Sequence, residues 1–167
     1  MTVAESLDLI RRKPGCVVCP PTGLPQLPEG LSLPLSITEL YSACGGIYFN
    51  TDSSHEFVWR VVAPHDFRPA AYSVYGMEDQ EFKLLGHWTD SLFLFATTRD
   101  GEDRIVVDCG GQYHSFFLDG DHETFATENM ILVSRSLPEL LMRIAECAFE
   151  ILPHVSSVPW PVRLRDL

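Results

Sequence analysis

The stretch SLFLFATTRDGEDRIVVDCGGQYHSFFL, residues 91–118, decides how the whole chain is read. Three runs within it, 92–98, 104–109 and 113–118, are rich in aromatic and β-branched residues, which suit a pleated surface. Two turn signals divide them. Asp100-Gly101 predicts a two-residue type I′ hairpin, because both central positions need a positive φ that Asp and Gly tolerate. Gly110-Gly111 predicts a second tight turn on the same ground, and the product is an antiparallel meander. Ile105, Val107 and Cys109 alternate with Arg104, Val106 and Asp108, so the middle run should have one packed and one wetter face. Leu92-Phe93-Leu94-Phe95-Ala96 does not alternate, which places that run centrally, covered on both sides.

A sheet with an apolar side needs a cover, and the flanks of the meander offer helices. Ser136-Leu137-Pro138-Glu139 has the spacing of a capping box, in which a hydroxyl and a carboxylate three residues on satisfy each other's backbone amides. Leu137, Leu140, Leu141, Ile144, Ala148, Ile151 and Leu152 then trace one apolar stripe, ended by Pro153. Thr2-Val3-Ala4-Glu5 opens a second helix, with Leu7 and Ile10 on its apolar side, Arg11, Arg12 and Lys13 at the negative end of the dipole, and Pro14-Gly15 as the stop. Ser36-Ile37-Thr38-Glu39 opens a third, with Ile37, Leu40, Tyr41 and Cys44 as the stripe and a left-handed cap at Gly45-Gly46. Ile47-Tyr48-Phe49 and residues 57–63, 82–88 and 130–133 are further strand candidates, 66–71 a turn or short helix, and 72–79 is ambiguous. Residues 16–34 are proline-rich and read as an irregular, extended arm laid on the domain by Leu24, Leu27, Leu31 and Leu33. Trp160 should fold the C-terminal tail back on the domain, with a mobile prolyl tail as the equal alternative. The expected fold is α+β: a single domain over 1–167, with a twisted antiparallel sheet and helices packed mainly on one side.

The 167 residues carry a net charge of −11, unevenly spread. Residues 52–128 hold 15 acidic and five basic side chains, whereas the flanks are nearly neutral. An acidic sheet region repels nucleic acid phosphates and attracts a basic protein, although acids also serve solubility alone. No apolar run approaches the roughly 20 residues of a membrane span. The N-terminus has no apolar signal core, so the protein is expected in the cytoplasm, bound to neither membrane nor nucleic acid.

Chemistry-bearing motifs are few. Cys16 and Cys19 have the C-x2-C spacing of a zinc knuckle, but no second pair or histidine couple follows, so two thiols in an apolar arm are the default and a small zinc protein the alternative. Cys44, Cys109 and Cys147 fall on apolar faces. Asp119, Asp121 and Glu123 alternate like calcium ligands, yet the required glycine and distal glutamate are missing, leaving a solvated acidic loop. No nucleophile elbow or phosphate-cradling loop is present, and pairs such as Glu102-Asp103 sit in exposed turns. Neither an enzyme nor a cofactor is expected.

The leucine-proline arm with its short helix (LPEGLSLPLSITELYSACGG), the tryptophan-bearing FVWRVV, the hairpin LFLFATTRDGEDRIVVDCGG and the closing SLPELLMRI together resemble the SUKH superfamily, over roughly residues 24–151. That superfamily includes immunity proteins of bacterial polymorphic toxin systems and relatives of a yeast cell-wall synthesis regulator. The matching positions are Leu40, Tyr41, Gly45 and Gly46, then Asp100, Gly101 and Asp108, then Ser136, Leu137, Leu140 and Leu141, all of them structural. Cys44 stands where the family commonly has asparagine. The resemblance implies a core of about 24–152, preceded by a helix and arm over 1–35 and followed by a tail over 153–167. It also implies a protein-binding surface that blocks a cognate toxin, a basic nuclease among the candidates, or else a regulatory scaffold without a toxin. The acidic loops are the candidate contact residues: Asp100, Glu102, Asp103, Asp119, Asp121 and Glu123.

Overall fold

A computed structural model of the chain describes residues 1–51, 59–76, 89–146 and 162–167. Its elements in order are α1 (Val3–Arg11), β1 (Cys16–Val18), α2 (Leu35–Ala43), β2 (Ile47–Phe49), β3 (Trp59–Val61), α3 (Ala70–Tyr75), β4 (Leu92–Thr98), β5 (Arg104–Asp108), β6 (Phe117–Asp119), β7 (Leu132–Ser134) and α4 (Leu137–Glu146). The seven strands form one antiparallel sheet whose spatial order is the chain order. The expected meander therefore extends to both sides of residues 91–118, and β4 is its middle strand.

Every residue of β4 is buried. Its missing alternation has two causes, burial on both faces and a bulge between Leu94 and Ala96. The extra residue, Phe95, interrupts the alternation, and Phe93, Leu94, Phe95 and Ala96 all join one core, where Phe95 meets Phe117 edge to face at 5.0 Å. That core lies under α1, α2 and α4, which contribute Leu7, Ile10, Ile37, Leu40, Tyr41, Leu140, Leu141 and Ile144. The opposite face, with Leu92, Val106 and Leu118, is covered by Ala70 and Ala71 of α3, by Phe125 and Met130, and by Leu164 near the C-terminus. Among the described residues three of the four α-helices lie on one side, which is the expected fold class.

The capping boxes divide. Thr2 and Glu5 exchange both bonds at the start of α1, and the Glu139 amide donates to the Ser136 hydroxyl at 3.4 Å. Ser36 caps nothing: α2 begins at Leu35 after Pro34, so Ser36 lies inside the first turn. The helix is held by burial of Ile37, Leu40 and Tyr41. Its C-cap is Cys44 in extended conformation rather than a left-handed glycine. Gly46 is required for another reason: at φ 127° a side chain is strained, and a Cβ there would lie 3.0 Å from the Val61 carbonyl oxygen.

Neither expected turn has the expected chemistry. The β4–β5 hairpin closes between Thr98 and Asp103, and of its residues only Gly101 takes a positive φ, so four residues rather than two make the loop. After β5, the buried Asp108 carboxylate accepts the amides of Gly110, Gly111 and Tyr113 at 3.1, 2.7 and 2.9 Å, and the left-handed residue is Ser115. The chain is organised by that carboxylate, and β6 starts at Phe117 rather than at Tyr113.

Cys16, Val17 and Val18, expected to be irregular, pair with β2. The rest of the arm is irregular as expected, with Leu27, Leu31 and Leu33 against the core, but Leu24 is exposed. Residues 72–75 complete α3, whose left-handed cap is Gly76. The strand candidate 82–88, Cys147, the end of the last stripe and Trp160 lie outside the described residues. Residues 162–164 do run beside β7: the Leu132 amide donates to Val162, and the Leu164 amide to Met130.

Replacing Asp108 with Ala strands three amides and should destabilise the protein by about 2–4 kcal/mol in chemical denaturation, with Asp108→Asn losing less because an acceptor oxygen remains.

Candidate partner-binding site

The two acidic segments named from sequence meet at one end of the sheet. Strand β5 starts where the hairpin of residues 99–103 ends, and β6 finishes directly beside it, with Asp119 opposite Ile105. The contact continues one residue further, because the Gly120 amide donates to the Arg104 carbonyl at 2.9 Å. A Cβ on Gly120 would stand 2.9 Å from the Arg104 Cβ, so only glycine lets the loops approach this closely.

Each loop is braced by its own carboxylates. Asp100 Oδ1 accepts the Glu102 amide at 3.1 Å and the Thr98 hydroxyl at 2.8 Å, while the Asp103 amide donates to Thr98 Oγ1 at 3.0 Å. Those bonds, the Glu102 amide first, hold the Asp100 carboxyl below the usual carboxylate range. Asp119 Oδ1 accepts the Asp121 amide and Asp121 Oδ1 the Glu123 amide, two successive side-chain turns. Asp100, Glu102, Asp103, Asp121 and Glu123 are exposed. Arg99 and Arg104 are the bases of the hairpin, and Arg104 donates to the Glu102 carbonyl.

Asp119 departs from the expected solvated loop. It ends β6 and retains 8% exposure. Burial pushes its carboxyl up to about 6, the nearby charges of Asp121 and Asp103 adding to that effect and the Asp121 amide opposing it. Through Asp103 and Asp119 the two loops share one electrostatic field.

Sequence reading missed the neighbour of this end. Tyr75 of α3 donates its hydroxyl to the His122 carbonyl at 3.2 Å and sets its ring edge-on to Phe125 at 5.7 Å. The available signal was Gly76, which reads as a left-handed cap after Ala-Ala-Tyr-Ser-Val-Tyr.

Cys16 lies in β1 against the core, and Cys19 just beyond it exchanges backbone bonds with Gly45 and Gly46. Among the described residues no three His, Cys, Asp or Glu side chains are grouped to hold a metal ion, and no helix is long and apolar enough to cross a membrane. Comparison with protein-family models, with curated proteins and with solved structures returned no match. Geometry and charge therefore carry the functional reading.

Asp119 gives a pH test. Its folded pKa lies above the roughly 3.9 of an unfolded aspartate, so its contribution to stability is fully present below about pH 4 and is lost as pH rises through about 6. Asp119→Asn, which retains an acceptor for the Asp121 amide, should be more stable than wild type at pH 7 by on the order of 1–3 kcal/mol. The two proteins should converge toward pH 4 in denaturation curves measured across that range.

Proposed function

We propose that this protein is a non-catalytic, toxin-neutralising immunity protein that acts in the cytoplasm, holding a basic protein toxin such as a nuclease against its acidic end. One observation carries the reading. Two loops about 20 residues apart in the chain are brought side by side by the β5–β6 pairing, and their six carboxylates outnumber the local bases. A nuclease must present positive charge to bind phosphates, so an acidic surface competes for that same ground and speeds encounter. The loops are braced by side-chain-to-backbone bonds, so little ordering is needed on binding. The resemblance to the SUKH superfamily points to the same role.

The test is co-expression with the product of any toxin-like gene found adjacent to this one. The wild-type protein should restore growth and co-purify with the toxin. A variant carrying Glu102→Lys and Glu123→Lys, exposed carboxylates that take no part in the loop-bracing bonds, should remain folded yet fail to protect, with association slowed about 10- to 100-fold at low salt. Absence of a complex, or protection unaffected by the charge reversal, would refute the assignment.

A further inference from the structure

We infer that Tyr72 and Tyr75 of α3 are the anchoring half of the same binding face, and that the partner meets them with arginine side chains. This rests on the acidic end receiving a basic protein, and it adds which chemistry on that protein is read.

Helix α3 is short and its two sides differ completely. Ala70 and Ala71 are fully buried against the sheet, and their small size lets the helix lie close. Tyr72 and Tyr75, three positions apart and so neighbours on the surface, are 40% and 38% exposed. Among the described residues each ring has one partner within the chain, Arg68 over Tyr72 and Phe125 beside Tyr75, and keeps more than a third of its surface open beyond it. Tyr75 is fixed to the acidic loop by its bond to the His122 carbonyl, between Asp121 and Glu123, and by its ring contact with Phe125. Tyr75 therefore adjoins the acidic loop directly, and Tyr72 lies beside Tyr75, one helical turn earlier on α3.

Tyr72 already holds a guanidinium. Arg68 lies over its ring with Cζ 4.2 Å from the centroid, and 40% of the residue still remains open. A tyrosine offers a broad contact with only two side-chain torsions to freeze, which is why tyrosines recur at interface hot spots. Beside carboxylates the best complement is arginine rather than lysine. Its planar guanidinium stacks on a ring while its edge reaches an acid, whereas an ammonium is a compact, strongly hydrated point charge. The acids would set how fast the partner arrives, and the tyrosines how long it stays.

The experiment compares two fluorescent probes of equal charge, nona-arginine and nona-lysine, titrated into the full-length protein at low salt. Wild type should prefer nona-arginine. Tyr72→Ala should weaken nona-arginine about three- to tenfold and leave nona-lysine within about twofold, consistent with the scale of cation–π contacts. Tyr72→Leu, which preserves the bulk of the side chain, gives the same comparison if the alanine variant loses its fold by circular dichroism. Asp100→Asn with Glu102→Gln and Asp103→Asn should weaken both probes. Equal affinity of the two probes, or no selective loss with the Tyr72 variants, overturns the tyrosine assignment while leaving the acidic end standing. Probe binding indifferent to the acid substitutions overturns the acidic end itself. Self-association of the protein that Tyr72→Ala abolishes would give the face to a second copy and overturn the proposal.

Discussion

Strand β4 has no side that faces water, and most of the architecture follows from that constraint. Seven consecutive buried residues in the middle of a sheet need cover on both faces. Among the described residues, α1, α2 and α4 supply it on one face, and α3 with residues 125–130 and Leu164 on the other. A bulge at Phe95 accompanies the double burial, with Leu92 given to one core and Phe93, Leu94, Phe95 and Ala96 to the other. Tyr41, Phe67 and Phe93 then continue the packing as a chain of rings, 5.9 and 5.4 Å apart, and the buried Tyr41 hydroxyl donates to the Val62 carbonyl.

The acidic end is a by-product of the same meander. Because each strand pairs with its sequence neighbours, the end of one hairpin and the end of the strand after next fall on a common rim, and the register of Ile105 with Asp119 places them side by side. Holding like charges together is unfavourable, and the cost shows at Asp119, whose burial near Asp103 and Asp121 works against its ionisation. Natural chains commonly keep such locally costly arrangements where a surface is used.

What could be read from the sequence was local. The caps at Thr2 and Ser136 are satisfied within four residues, so spacing alone finds them. The central position of β4 was legible because an apolar run without alternation has no face to give to water. The features that escaped depend on distant chain. Strand β1 has three residues and owes its conformation to β2, some thirty positions away. Ser36 has the right spacing for a cap, but Pro34 starts the helix ahead of it. The glycine pair at 110–111 suggested a tight turn, whereas a buried carboxylate at Asp108 reshapes the segment. The six acids stand out as candidates from their loops alone, but their convergence, the burial of Asp119 and the tyrosines beside them all come from strand register and from α3.

The last residues of the chain do more than end it. By running beside the start of β7, with the Val162 carbonyl accepting the Leu132 amide, the Leu164 amide donating to Met130 and Leu164 buried, they occupy backbone groups that the strand would otherwise offer to another molecule. Open strand edges are the usual templates for uncontrolled polymerisation. Residues 162–164 thus act as a selvedge along the start of β7, closing main-chain groups there to pairing with another strand.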